Sequence, residues 1–324
     1  MTIFVESNCI DDLLKDVHAA ILERGIKNTA TKGATIEILG AGLVLTDPLR
    51  RVSRTESRSK IISCLGELLW YLTGDNDVSF IRHYIPGYTR YAEECGKVHG
   101  GYGPRLFSMH GLYNQLDNVT RLLCDKPTSR RALIQLFDAA DLMPAEGKAR
   151  EYKDIPCTIS LQFLIREKRL HLFVNMRSND AFKGLTHDIF AFTMLQEYVA
   201  RTIECELGQY YHFVSSLHLY DTDIPSVHAL QREGFMSTRT IMSEMPAVKS
   251  LDERFQLLGI ERELRLNKFT DLDLTGLNDY WKDLMRIIKI HFLFKDKSID
   301  SSEEARKEIS KFKNKEYEIF FEGK

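Results

Sequence analysis

A cysteine, an arginine and a carboxylate cluster in one part of this chain. Cys157 lies in the stretch Asp154-Ile155-Pro156-Cys157-Thr158-Ile159. Arg177 follows in Met176-Arg177-Ser178-Asn179-Asp180, and Asp188 comes soon after. A thiol attacks as its thiolate, and a neighbouring guanidinium lowers the thiol pKa, so Cys157 with Arg177 forms a candidate activated nucleophile. The ordinary reading of a lone cysteine is a small, buried, inert residue, and that reading is adopted for Cys64, Cys95, Cys124 and Cys205. Glu67 stands among Ile61, Ile62, Leu65, Leu68, Leu69 and Trp70. A carboxylate in such company must be paired or do chemistry, and burial moves its pKa toward the range useful for proton transfer. Arg130-Arg131 follows a turn and suits phosphate oxygens, although such a pair read alone is more often a solvated surface charge. Gly100-Gly101-Tyr102-Gly103 brings backbone close to whatever it faces. His218 and Tyr220 alternate on a predicted strand and so share a face.

The elements that must position these groups alternate between helix and strand. Helical spacing predicts an amphipathic helix over 9–24 and an apolar one over 60–73 ending near Gly74. Residues 34–46 read as strand, turn and strand, 111–125 as helix, and 132–137 and 157–175 as strands separated by a polar connector at 139–153. A long helix is expected over 188–205 and a further strand over 210–219. Composition shifts near 230, and helices are expected over 250–266, 277–295 and 302–313. The expected class is α+β, with a catalytic domain over 1–230 and a helical C-terminal extension over 231–324 packed on it.

Composition narrows the partners. The chain has 324 residues, 44% hydrophobic and 28% charged, with a net charge of −2. Such a balance gives no bulk attraction for nucleic acid or an anionic membrane, so any anion must be held by local basic residues. The six cysteines are scattered with no CxxC pair or Cys/His cluster at zinc spacing, so no metal site is expected. Glu6 interrupts the opening residues before any signal-like apolar run, and no stretch reaches membrane-spanning length. A reduced, cytoplasmic protein is the expectation.

Taken in order, the motifs resemble the thymidylate synthase and pyrimidine hydroxymethylase superfamily. The ordered set is Glu67-Leu68-Leu69-Trp70 with Gly74-Asp75, Tyr102-Gly103, Ser129-Arg130-Arg131, Pro156-Cys157 with Gln162-Phe163, Arg177-Ser178-x-Asp180 with Gly184-Leu185, and His218-Leu219-Tyr220. The resemblance implies the family fold, a mixed sheet that packs against its twin in a homodimer. It also implies 5,10-methylenetetrahydrofolate as one-carbon donor and a pyrimidine nucleoside monophosphate as acceptor. By the same resemblance, Cys157 adds to C6 of the ring, and Glu67 and Tyr102 belong to the network that moves protons. Arg177 and Ser178 hold phosphate, and Arg130 and Arg131 reach the phosphate of the other subunit. His218 and Tyr220 meet the sugar hydroxyl, and Tyr88, Asp180 and Gly184 line the folate site. The family's N-terminal phosphate-loop arginine has no clear counterpart, with Lys32, Arg51, Arg54 and Arg58 as candidates.

Departures from the synthase pattern carry the specificity reading. Synthases place Asn where this chain has Asp188. A carboxyl accepts from the exocyclic N4 amine of cytosine and, when protonated, also donates to ring N3. An ionised Asp facing uracil O4 would set two acceptors against each other. The plainer reading of Asp188 is a cap for a helix starting at Ile189, and the two are compatible. Tyr88 replaces the family's folate-stacking Trp, and a more polar aromatic there helps admit water. Thr158 replaces the usual His after the nucleophile. The ending Phe320-Phe321-Glu322-Gly323-Lys324 differs from the short apolar tail that closes over folate in synthases. These features together point to a CMP or dCMP 5-hydroxymethylase. The alternatives are reductive methylation of dUMP or a cytidine nucleotide, and a catalytically silent nucleotide-binding protein.

Overall fold

One mixed sheet organises the chain. The structure is a computed structural model that describes residues 2–30, 33–55, 60–144, 151–234, 241–266, 274, 276–296 and 298–322. In chain order its elements are β1 (Ile3–Ser7), α1 (Ile10–Arg24), β2 (Ile26–Ala30), β3 (Gly33–Leu45), α2 (Ile61–Leu72), α3 (Val78–Ile81), α4 (Tyr102–Phe107) and α5 (Gln115–Asp125). There follow β4 (Leu133–Gln135), β5 (Thr158–Arg166), β6 (Arg169–Asp180), α6 (Gly184–Thr202), β7 (Glu206–Tyr220), α7 (Ile224–Arg232), α8 (Arg254–Arg265), α9 (Asp279–Asp296) and α10 (Ile299–Ser310).

The seven strands run in the order β1-β3-β7-β6-β5-β4, with β2 also on β3. β1 with β3 and β6 with β7 are parallel, and the other neighbours are antiparallel. One face is covered by α1 and α6. The α1 stripe Ile10, Leu13, Leu14, Val17 and Ile21 is fully buried, as its 3–4 residue spacing requires. Leu170, Leu172, Val174 and Met176 of β6 alternate into the same core. The opposite face keeps large apolar side chains in the open: Phe4 is 66% exposed, Leu39 52%, and Phe213 and Ile159 38% each.

The expected strand-turn-strand at 34–46 is instead the single strand β3. It pairs with β7 from Thr35↔Tyr220 to Leu45↔Tyr210, and bends at Gly40 without reversing. The helix expected at 188–205 begins four residues earlier, at Gly184. β1, β2, α3, α4 and α7 had no sequence reading. Of the polar connector at 139–153, residues 145–150 lie outside the described residues. The helices beyond 250 pack on α2. Arg254 donates to the carbonyl of Leu72, and Tyr84 donates to Glu261 Oε1 at 2.6 Å. Among the described residues no helix is long and apolar enough to cross a membrane, and no His/Cys/Asp/Glu group has metal-holding geometry.

Candidate active site

The nucleophile candidate stands where β5 begins. Cys157 is half-buried. The peptide before it is held from β6: Arg177 N–H donates to Cys157 O, its Nε to Pro156 O and its Nη2 to Ile155 O, each at 2.9 Å. Arg177 therefore fixes the backbone of the cysteine turn, while its side chain stays exposed at the cleft. The glycine loop packs on the same turn. A Cβ on Gly100 would fall 2.3 Å from Asp154 Oδ2 and 3.2 Å from Pro156 N, so a larger residue would have to displace the Asp154 carboxylate and press on the turn.

A buried acid and three phenols line the neighbouring wall. The apolar face of α2 seats Glu67 at 5% exposure. Its Oε1 accepts a short hydrogen bond from the Tyr88 hydroxyl. Desolvation raises the Glu67 pKa, against the opposing effect of hydrogen bonds from Tyr88 and Tyr71. Tyr71 lies one helical turn on, its ring 5.1 Å from that of Tyr102. The Tyr102 hydroxyl lies 2.8 Å from Thr158 Oγ1 and accepts from Thr158 N–H at 3.2 Å, so it touches the residue after the nucleophile. Desolvation, then the charges of Asp188 and Cys157, push the Tyr102 phenol well above its usual range.

Asp188 faces the same space. It belongs to the second turn of α6 and does not cap that helix, which starts at Gly184. The residue is partly accessible, yet desolvation and then the charge of Glu67 raise its carboxyl well above the usual carboxylate range. The charges of Asp188 and Cys157 act on Tyr102, and that of Glu67 on Asp188, so these four residues lie near one another.

The polar residues of β6 and β7 form its floor. In both strands burial alternates strictly and then slips by one at the same level, at Arg177-Ser178 and at Ser215-Ser216. Beyond that slip Ser178, Asp180, His218 and Tyr220 share a side. Ser178 Oγ lies 3.4 Å from His218 Nδ1, and the His218 and Tyr220 rings meet edge to face at 5.2 Å. Asp180 Oδ1 accepts from the Phe182 and Lys183 N–H groups at 2.9 Å, shaping the entry to α6 at Gly184. Tyr88, expected on the folate wall, packs edge to face on Trp70 at 5.3 Å and orients Glu67.

Arg130 and Arg131 lie apart from this assembly. They line an open groove with Lys126 and Ser129 and are exposed. Gln162 Nε2 donates to Arg130 O. Gln162 is five residues from Cys157 on β5, about 17 Å along a strand. Of the phosphate-loop candidates, Arg51 is ruled out. Its side chain is fully buried and paired with Glu197, also fully buried. Arg54 contacts Glu316 at 3.4 Å, and its N–H donates to Asp11. Lys32 and Arg58 lie outside the described residues.

Several site neighbours escaped the sequence reading. Tyr71 was signalled by its i+4 spacing from Glu67. Asn179, Tyr210 and His212 form a buried polar set behind Asp188, and only alternation on one strand hinted at the last two. Cys95 and Cys124 are exposed, so the buried reading fails for them while it holds for Cys64.

Comparison with known proteins gives a consistent picture. A family model described as thymidylate synthase matches residues 14–263. A deoxyuridylate hydroxymethyltransferase of Delftia phage PhiW-14 is 29% identical over 54% of this chain and 50% of its own length. The chain therefore spans about half of that relative. One of the same description from Pseudomonas phage M6 is 28% identical over 74% of this chain and 69% of its own. Among solved structures, thermostable thymidylate synthase A from Bacillus subtilis superposes with a TM-score of 0.59 at 21% identity. That match covers 75% of this chain and 91% of the other.

Proposed function

Because the chain belongs to the thymidylate synthase family, whose members are folate-dependent one-carbon transferases, we propose that it hydroxymethylates C5 of a cytidine monophosphate, CMP or dCMP. Methylenetetrahydrofolate supplies the one-carbon unit. The Cys157 thiolate adds to C6 of the ring, making C5 the nucleophile that takes up that unit. Glu67, oriented by Tyr88, moves the protons at the ring and at C5. Loss of the C5 proton and departure of tetrahydrofolate leave an exocyclic methylene; water adds to it and the Cys157 thiolate leaves C6, giving the 5-hydroxymethyl nucleotide. Asp180 suits a folate: its Oδ1 is engaged by backbone amides, so Oδ2 is the acceptor for a ring N–H of the pterin. Gly184 and Tyr88 complete that wall. Arg177 and Ser178 would hold phosphate, and His218 and Tyr220 the sugar hydroxyl.

The observation that carries the substrate reading is Asp188. Its desolvated carboxyl faces the cleft beside Glu67, where a carboxyl meets the N4 amine of cytosine. The descriptions of the two phage relatives favour hydroxymethyl over methyl as product, and favour a uracil nucleotide as the second reading. We also propose a homodimer through the open sheet face. Phe4, Leu39, Ile159 and Phe213 need covering. Arg130 and Arg131, too far along β5 to serve their own Cys157, would reach the partner's phosphate. Residues 1–230 would form the catalytic domain, and 231–324 an extension packed on it.

The test is mass spectrometry of products formed from CMP, dCMP, UMP and dUMP with methylenetetrahydrofolate. A gain of a hydroxymethyl group on a cytidine nucleotide, moving to uracil nucleotides in Asp188→Asn, is expected. A methyl product, or wild-type reaction with uracil nucleotides alone, would overturn the proposal.

A further inference from the structure

A bulge at the start of β5 turns Thr158, the residue after the nucleophile, inward. Leu161 and Phe163 are fully buried, so strict alternation would bury Ile159 as well. The pairing with β6 instead steps from Thr158↔Met176 to Ser160↔Asn175, which leaves one extra residue on β5. Ile159 is therefore 38% exposed and Thr158 fully buried. A hydroxyl thus sits inside the wall of the site, in the place where the family pattern has His.

That hydroxyl meets the Tyr102 phenol. Thr158 Oγ1 lies 2.8 Å from Tyr102 Oη, and the Thr158 N–H donates to the same Oη at 3.2 Å. Among the described residues Oη is the one hydrogen-bond partner of Thr158 Oγ1. If the phenol were the donor, the proton of the fully buried Thr158 would have no acceptor, and an unmet buried donor is costly. Tyr102 keeps 8% exposure, so its own proton has access to a ligand where that of Thr158 has none. Thr158 is therefore the donor. The N–H and the O–H of one residue then occupy the phenol oxygen, which has two acceptor positions. The rings of Tyr71 and Phe192 flank the phenol at 5.1 and 6.0 Å. Its proton is turned away from Thr158, and no described group accepts it.

We propose that Thr158 is a positioning residue that makes the Tyr102 phenol a hydrogen-bond donor toward the nucleotide ring held at Cys157. Addition of the thiolate to C6 puts negative charge on the ring, and a donor already aimed at that charge stabilises it. With its oxygen occupied, the phenol cannot accept the C5 proton before giving up its own, so the work of the base falls to Glu67. Both bonds from Thr158 favour the ionised phenol and so strengthen it as a donor. They oppose desolvation and the charges of Asp188 from α6 and of Cys157, which push the phenol up. The phenols of Tyr71 from α2 and of Tyr88 face it as well. The inference rests on the reading that Cys157 adds to a pyrimidine nucleotide, and is indifferent to which base is used.

The experiment follows release of the C5 hydrogen of CMP, dCMP, UMP and dUMP to solvent, with methylenetetrahydrofolate present. Wild type is compared with Thr158→Val, Thr158→Ser and Tyr102→Phe. Thr158→Val keeps the shape and the N–H and loses the hydroxyl. It should lower kcat roughly tenfold with KM for the nucleotide little changed, and Thr158→Ser should recover most of the rate. Thr158→Val combined with Tyr102→Phe should be no slower than Tyr102→Phe alone, because Thr158 acts only through the phenol. Full rate in Thr158→Val, or losses that add in the double variant, would overturn the inference. A second readout needs no turnover: fluorinated tyrosine is incorporated at position 102 and its phenolate absorbance titrated. Loss of a donor to the phenolate should move that titration to higher pH in Thr158→Val, and an unmoved titration also overturns the inference. Should Thr158→Val fail to fold, Thr158→Ala carries both comparisons. If wild type releases hydrogen from none of the four nucleotides, the proposed reaction falls, and the titration alone decides whether Thr158 holds the phenol.

Discussion

Tyr88→Phe should slow catalysis and move its pH dependence without disturbing the fold. Phenylalanine keeps the ring that packs on Trp70 at 5.3 Å and removes only the hydroxyl donated to Glu67. A hydrogen bond to a charged group is worth about 1.5–3 kcal/mol. At about 1.4 kcal/mol per pKa unit, the Glu67 pKa should rise by about one to two units further. The sign follows from geometry: Tyr88 donates to the carboxylate and so favours the ionised form, while desolvation already opposes it. The limb of the rate profile that reports deprotonation of Glu67 should move to higher pH by that amount. At any pH below that limb the rate should fall roughly ten- to a hundredfold. Release of the C5 hydrogen of the nucleotide to solvent, measured from pH 5 to 9, is the direct assay. Loss of rate with an unmoved pH limb would mean that Tyr88 acts on a ligand and not through Glu67. An unaltered rate and profile would remove Glu67 from the proton path.

Two further outcomes concern stability. Glu67 has a folded-state pKa above its unfolded value, so between the two the folded state alone holds the proton, and stability falls as pH rises through that window. Glu67→Gln should therefore melt higher than wild type at pH 8, with the gap narrowing toward pH 4, while activity is lost; equal pH slopes in the two melting series would refute this. Arg51 and Glu197 form a fully buried pair, and Glu197 Oε1 also accepts from Met245 N–H at 2.7 Å. Arg51→Met should cost about 3–5 kcal/mol in denaturant titration by leaving the buried Glu197 carboxylate only the more distant Arg201 at 3.5 Å. A loss of nucleotide affinity with intact stability would instead return Arg51 to the phosphate site.

What the sequence disclosed depended on how local the signal was. The α1 stripe and the apolar run of α2 are periodic in themselves, and both helices stand where periodicity puts them. Glu67 was conspicuous because a single carboxylate broke that run. Arg51 misled because it stands in an arginine-rich segment, which made it a candidate for the phosphate loop. Its partner is 146 residues away, beyond the reach of any pattern. Tyr88 was placed on the folate wall by counting, but its hydroxyl partner depends on how the 85–88 turn lies over α2. The slip in alternation shared by β6 and β7 was invisible for the same reason. It arises from two strands bending together at Ser178↔Ser216, and neither strand alone announces it.

The helices after 250 bear on the chemistry through α2. A Cβ on Gly66 would fall 2.2 Å from Tyr84 Cγ, so the Tyr84 ring rests directly on the residue before Glu67. The hydroxyl of that ring donates to Glu261 Oε1 of α8, and Glu261 is held in turn by Arg265 at 2.9 Å. Just over one helical turn from Glu67, Arg254 donates to the last carbonyl of α2, that of Leu72, and covers the Phe107 ring at 3.7 Å. Phe107 closes α4, the helix that Tyr102 opens. The helices after 250 thus hold α2 on both sides of Glu67 and reach α4, which carries the phenol of Tyr102. A buried carboxylate with a raised pKa is costly to hold in place, and a scaffold that must keep it aimed at a nucleotide ring gains from this second layer. The packing of the helices after 250 and the setting of the Glu67 carboxyl therefore meet in one helix, α2.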